Sequence, residues 1–116
     1  MKKDLTKEEA IRRHRMMWEW IGEETLRKKA CATETEALEF FGWNPRNIYS
    51  YDWCCEYAHG NCNYCAVKWP AKDIDVACVS YYGNGLYDLW YKSVERDDWR
   101  TAAYYALYIS MLPEKK

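Results

Sequence analysis

Four cysteines in one stretch of the chain could together bind a metal ion. Residues 53–80 read WCCEYAHGNCNYCAVKWPAKDIDVACVS and hold five of the six cysteines. Two thiolates separated by two residues in a tight turn can hold one ion, and two more nearby complete the tetrahedron that structural zinc prefers. One of the neighbouring Cys54 and Cys55 is expected to point away from the ion, and Cys54 and His59 are the alternative donors. The C-x6-C-x2-C-x12-C spacing predicts a structural zinc site, a zinc knuckle, with the ligands Cys55, Cys62, Cys65 and Cys78.

Other chemistry of the same cysteines has less support in the sequence. Four thiolates can also hold an iron–sulfur cluster, and six cysteines could form three disulfides in a secreted domain. A redox pair at Cys62 and Cys65 lacks the βαβ pattern in which such pairs work, and a Cys–His nucleophile using His59 lacks an orienting third group. Four thiolates leave zinc no open position, and the sequence contains none of the common catalytic motifs. We therefore do not expect an enzyme.

A long helix is predicted near the N-terminus. Thr6 and Glu9 form a capping-box pattern, and the apolar period of 3.6 residues continues to about Lys29. His14 falls on the apolar face, where a hydrogen-bonded core histidine is expected, and Trp20 lies off that face and is expected to pack on a second element. The predicted buried face consists of Ala10, Ile11, His14, Met17, Trp18, Ile21 and Thr25.

A second, shorter helix is predicted directly after the first. Thr33 and Glu36 repeat the capping-box pattern, and Gly42 suits a left-handed helix end. Its predicted buried side consists of Ala37, Phe40 and Phe41.

The residues from 67 onwards first favour β-strands and then favour helices. Residues 67–69 and 74–79 are β-prone and could pair as one short hairpin. A helix is expected to follow Gly85, with Leu86, Leu89 and Trp90 as its packed side. Asp97 or Asp98 should cap a last helix, which ends near Pro113.

The two faces of the last helix differ in chemistry. One face is small and apolar and suits close packing against another helix: Trp99, Ala102, Ala103, Ala106, Ile109 and Ser110. The opposite face carries Arg100, Tyr104, Tyr108 and Met111. Arginine and tyrosine are enriched where interface energy concentrates. We therefore predict a partner-binding surface at Arg100, Tyr104 and Tyr108, and the alternative is that this face is also buried.

Composition bounds the fold and the partners. The 116 residues suffice for one domain, and the net charge of −1 argues against a dedicated nucleic-acid binder. Charged residues near Met1 and no long apolar run predict a cytosolic protein that is not inserted in a membrane. We predict one mainly α domain over residues 1–116, with three to four helices around the zinc knuckle at about 53–80.

The cysteine motif resembles that of a known protein family. The string C-E-Y-A at residues 55–58, the Cys62–Cys65 pair, Trp69, Cys78 and S-x-Y at 80–82 resemble small zinc-binding proteins of bacteriophages and prophages of Firmicutes. The resemblance implies Cys55 as the first ligand. The family usually has another cysteine before C-E-Y, separated from it by two residues, whereas Cys54 here is immediately adjacent to Cys55.

The resemblance also implies a function. Small phage metalloproteins of this kind include type II-A anti-CRISPR proteins, which bind an RNA-guided DNA nuclease and block loading of target DNA. A cytosolic protein that binds and inhibits a host defence protein is therefore the leading expectation. The alternative is a nucleic-acid-associated zinc module in phage replication or transcription, whose phosphate contacts would come from Arg12, Arg13 and Arg15.

The predicted zinc has a direct test. Because a structural zinc ion supplies folding free energy, a strong chelator should lower the melting temperature sharply. Elemental analysis of freshly purified protein should find one zinc ion per chain. Protein that contains no metal, or that keeps its full melting temperature after verified metal removal, would contradict the site.

Overall fold

Four helices make up most of what the structure describes. The computed structural model describes residues 6–43, 53, 67 and 85–114. Within these residues the chain is mainly helical, as predicted, and no strand longer than a single bridge is present. The helices are α1 (Lys7–Lys28), α2 (Glu34–Phe41), α3 (Leu86–Glu95) and α4 (Trp99–Ser110). Val67 forms an isolated antiparallel bridge with Glu114, and the rest of the predicted hairpin lies outside the described residues.

The ends of α1 follow the predicted local signals. The Thr6 hydroxyl accepts a hydrogen bond from the Glu9 amide at 3.1 Å, which satisfies one of the free N–H groups of the first turn. Lys29 takes the left-handed conformation with φ of 55° and closes the helix. All seven residues predicted for the buried face are buried, and Gly22 is buried with them.

Helix α2 starts and stops as predicted but buries a different side. The Thr33–Glu36 capping box is formed, and Gly42 ends the helix with φ of 72°. The buried residues are Ala37 and Leu38, whereas Phe41 is half-buried and Phe40 is 64% exposed. The prediction for Phe40 was therefore wrong. Viewed along the axis of α2, residues 37, 38 and 41 lie within an arc of about 100°. Residue 40 lies about 100° from the centre of that arc, which places Phe40 away from the packed side.

Helices α3 and α4 form a closely connected pair. Asp98, rather than Asp97, caps α4, and its carboxylate accepts from the Thr101 amide at 3.3 Å. Asp97 has φ of 56°, a left-handed residue in the short link between the helices. In α3 the buried residues are Tyr87, Trp90 and Ser93. Leu86 and Leu89, predicted as its packed side together with Trp90, are only half-buried.

The core forms where α1 crosses α4. Contacts run in opposite order along the two helices: Lys7 binds Glu114 at 3.1 Å, and His14 Nε2 lies 3.0 Å from the Ile109 carbonyl oxygen. Ala102, Ala103, Ala106, Ile109 and Ser110 are buried and Trp99 is half-buried, as the small apolar face predicted. Helix α3 packs on α4 beside this contact, and α2 packs on α1. Small side chains on α4 therefore permit the close approach of α1.

Gly22 lies at the tightest point of the contact between α1 and α4. A β-carbon at this position would lie 2.5 Å from Leu107 Cγ and 3.3 Å from the Leu107 backbone nitrogen. The first distance is shorter than any tolerated van der Waals contact, and Cγ cannot move without the rest of the leucine side chain. The glycine is therefore required by packing, although it weakens an isolated helix by about 1 kcal/mol relative to alanine.

This contact predicts a change of sign in a double-mutant cycle. Gly22→Ala alone should lower the free energy of unfolding by about 1–3 kcal/mol, because it overpacks the interface. In a Leu107→Ala background the same substitution should raise it by up to about 1 kcal/mol, because helix propensity then dominates. Urea denaturation of the four proteins measures both steps. A Gly22→Ala effect of equal size in the two backgrounds would contradict the contact.

Candidate binding surface

The predicted zinc ligands cannot be compared with the structure. Cys55, Cys62, Cys65 and Cys78 lie outside the described residues, as do the alternative donors Cys54 and His59. Among the described residues, no three His, Cys, Asp or Glu side chains are grouped so that they could hold a metal. The zinc knuckle therefore stays a prediction.

Cys31 is the one cysteine in the described parts of the chain, and its thiol is free. Burial raises the pKa of the Cys31 thiol, and the negative charges of Asp97 and Asp98 raise it further. A raised pKa favours the thiol over the thiolate, which is the nucleophilic and metal-binding form. The surroundings of Cys31 thus favour a packing role.

His14 is a core residue, as predicted. Its side chain is fully buried on α1, and Nε2 lies 3.0 Å from the Ile109 carbonyl oxygen near the end of α4. This carbonyl belongs to the last turn of α4, where backbone acceptors lack partners within the helix. The hydrogen bond therefore joins the two main helices.

The predicted binding residues lie together on the solvent side of α4. We call Arg100, Tyr104, Tyr108 and Met111 the α4 surface. Tyr104 is 61% exposed, Tyr108 39% and Met111 75%, and Arg100 is also exposed. The alternative, in which both faces of this helix are buried, does not hold, because Tyr104, Tyr108 and Met111 are exposed.

Aromatic contacts order the α4 surface. The Arg100 guanidinium lies 5.2 Å from the centre of the Trp99 ring, within range of a cation–π interaction. The Tyr104 ring contacts Tyr105 and Tyr108 edge to face, with ring centres 5.2 and 6.3 Å apart. Within the described residues Arg100 makes no ion pair.

The basic residues of α1 are largely compensated by acids. Glu9 accepts hydrogen bonds from Arg12 at 2.6 and 2.9 Å and from Arg13 at 2.8 Å. Further along, Glu24 pairs with Arg27 and Lys28. A phosphate backbone would have to compete with these carboxylates for the same donors, which disfavours α1 as a nucleic-acid surface.

Arg13 also takes part in an aromatic cluster that the sequence pattern did not indicate. Its guanidinium carbon lies 4.7 Å from the centre of the Trp53 ring and 5.4 Å from that of Trp43. Trp53 is 2% exposed, so the contact anchors residue 53 to α1. Residues 13, 43 and 53 are far apart in sequence, and no local spacing could have revealed the cluster.

A second exposed aromatic group lies between α1 and α2. The Trp20 and Phe40 rings stack with centres 5.1 Å apart and an interplanar angle of 29°. The expected packing of Trp20 on a second element is thereby confirmed.

The described helices include none with the length and apolar character needed to cross a membrane. The chain matches no protein-family model, no curated protein and no solved structure. The two exposed aromatic surfaces are therefore the observations from which a function can be inferred.

The Glu9 cluster predicts an acid-sensitive contribution to stability. Hydrogen bonds from Arg12 and Arg13 lower the pKa of Glu9 to about 2, whereas an unfolded glutamate titrates near 4.3. A lowered folded-state pKa stabilises the fold above about pH 4.3, and this contribution is lost as the pH falls towards about 2.

Thermal unfolding between neutral pH and about pH 2 tests this contribution. The Glu9→Gln variant should be less stable than the parent near neutrality, and the difference should shrink as the pH falls. Glu39→Gln is the matched control, because Glu39 has no ion pair with another described residue. A Glu9→Gln deficit that is constant over the whole pH range would contradict the assignment.

Proposed function

We propose that this chain is a phage-encoded, zinc-stabilised protein that binds and inhibits a host defence protein, and that the α4 surface makes the contact. The exposure of Arg100, Tyr104 and Tyr108 on one face of a packed helix carries the proposal. Tyrosine and arginine dominate the residues whose truncation costs an interface most.

The construction of α4 supports a binding role. Its alanine face is fixed against α1, so the tyrosines project from a rigid element rather than from a loop. A tyrosine ring has few rotatable bonds, and ordering it on binding therefore costs little conformational entropy. Met111, at the C-terminal end of the α4 surface, adds an adaptable apolar contact.

The charge of the surface favours a protein partner over a nucleic acid. Helix α4 contains Arg100 as its one basic residue and no acidic residue. Nucleic-acid affinity depends on several cations that neutralise successive phosphates. One arginine among tyrosines instead fits a protein surface of mixed apolar and polar character.

The identity of the partner follows from the family resemblance. Anti-CRISPR proteins of type II-A systems bind an RNA-guided DNA nuclease, and such an inhibitor needs affinity rather than chemistry. The zinc ion would order the cysteine segment and supply folding free energy. The protein would then act stoichiometrically, by preventing the nuclease from loading target DNA.

Binding and cleavage assays with a type II-A nuclease–guide RNA complex test the proposal. The chain should co-elute with the complex on size exclusion and abolish DNA cleavage at near-equimolar dose. Tyr104→Ala/Tyr108→Ala should weaken binding by about 30-fold or more, since a hot-spot tyrosine contributes about 2 kcal/mol. Tyr91→Ala, which removes a 51% exposed ring from α3, is the control and should bind like the parent.

Two outcomes would contradict parts of the proposal. Co-elution that survives Tyr104→Ala/Tyr108→Ala would place the contact elsewhere on the chain. Failure to bind the nuclease complex, together with salt-dependent binding to DNA or RNA, would favour the nucleic-acid-associated alternative.

A further inference from the structure

The surface between α1 and α2 has a composition opposite to that of α4. We call Trp20, Phe40 and the glutamates beside them the α2 surface. Phe40 is 64% exposed although it is among the largest apolar side chains of the helix, and it stacks on half-buried Trp20. The Phe41 ring meets both, 5.0 Å from Phe40 and 6.5 Å from Trp20.

Contacts with other aromatic rings hold the Trp20–Phe40 stack in place. Phe41 stacks on Trp43 with ring centres 4.5 Å apart, and Trp43 contacts the buried Trp53 at 5.5 Å. Helix α2 is fixed at its start by the capping box and by Glu34, whose carboxylate accepts a 2.6 Å hydrogen bond from the Tyr87 hydroxyl. The exposed ring of Phe40 is therefore a preorganised feature.

The charges around the stack are predominantly negative. Helix α2 has three glutamates and no basic residue, and α1 adds Glu19, Glu23 and Glu24 along the same region, against Arg27 and Lys28. Arg13, whose guanidinium lies on Trp43 of the same aromatic cluster, is paired with Glu9. Arg27 and Lys28 both pair with Glu24 within α1, and Lys28 also pairs with Glu36 of α2 at 3.6 Å, which joins the two helices. The glutamates without an ion pair to another described residue are Glu19, Glu23 and Glu39.

Two glutamates without an ion pair to another described residue lie near the rings. Glu23 is three residues from Trp20 on α1, and side chains three or four residues apart are neighbours on a helix surface. Glu39 directly precedes Phe40 and points about 100° away from it around α2, which places its carboxylate at the edge of the stack rather than against the ring. Aromatic faces attract cations through their quadrupole, and the nearby carboxylates increase the attraction for the same ligand. Anionic partners such as nucleic acids and acidic lipid surfaces would be repelled.

We propose that the α2 surface docks a basic protein segment, with an arginine or lysine side chain lying on the Trp20–Phe40 stack and its charge facing Glu23 and Glu39. The aliphatic part of such a side chain would cover Phe40, and its cationic head would meet the carboxylates. This site is separate from the α4 surface and does not depend on the function proposed for it.

Titration with synthetic peptides, followed by backbone amide NMR, tests the site directly. The probe is a nine-residue peptide of alternating glycine and arginine, and the matched control has citrulline, the uncharged analogue, in place of arginine. The arginine peptide should shift the amides of α2 and of residues 19–23 at millimolar concentration, and rising salt should weaken it. The citrulline peptide should leave these amides unchanged.

Two variants separate the aromatic from the electrostatic contribution. Phe40→Ala should weaken the arginine peptide about two- to fivefold, in the range of an exposed cation–π contact. Leu26→Ala, which removes another exposed apolar side chain of α1, is the control and should have no effect. Should Phe40→Ala fail to fold, Glu23→Gln/Glu39→Gln carries the test, because it leaves every described ring contact in place.

Three results would overturn the proposal: equal binding of the citrulline peptide, shifts confined to residues outside the α2 surface, or no shift at millimolar peptide. Concentration-dependent self-association that Phe40→Ala abolishes would also overturn it, because the occupant would then be a second copy of this chain.

Discussion

The close contact between α1 and α4 is the constraint on which the described fold depends. A helix with a full-sized side chain at position 22 could not approach the Leu107 backbone as closely as Gly22 does. Alanines on α4 complete the fit, and the hydrogen bond from His14 ties α1 to the end of α4. The opposite face of α4, with Arg100 and the tyrosines, is exposed to solvent.

Aromatic rings fill most of the remaining core, with a consequence for polar groups. Trp18 is fully buried between Tyr87 and Trp90 and meets both edge to face, with ring centres 6.0 and 4.8 Å apart. The indole N–H groups of Trp18, Trp53 and Trp90 are buried and have no hydrogen-bond acceptor among the described residues. Edge-to-face packing sets electropositive ring edges against electron-rich faces, which compensates part of that cost.

Apart from Tyr91 on α3, the exposed aromatic side chains of the described residues divide into two surfaces of opposite charge. On α4 the rings accompany one arginine and no acid, whereas on α2 they accompany glutamates. Most cations of α1 are already paired with carboxylates, and glutamates of α1 and α2 together make the α2 surface negative. The two proposed sites therefore differ in the charge of the partner that each would bind.

Much of the local structure was predictable because its causes lie within a few residues. Thr6, Thr33 with Glu36, and Asp98 cap their helices through side chains three positions from their partners. The buried face of α1 and the alanine face of α4 were predictable because these helices are long enough for the spacing of their apolar residues to show a helical period. On the short helices this reasoning gave wrong results: Phe40 is exposed, and Tyr87 is buried where Leu86 and Leu89 were expected.

The sequence by itself determined the helices, their caps, the core position of His14 and the two chemically distinct faces of α4. Tertiary structure alone decided which of two adjacent phenylalanines is exposed, that Gly22 is required by Leu107, and that Arg13 lies against Trp43 and Trp53. The physical reason is the distance along the sequence over which each interaction acts. Caps and periods act over one helical turn, whereas these contacts join residues distant in sequence, and their geometry exists only once α1, α2 and α4 have packed.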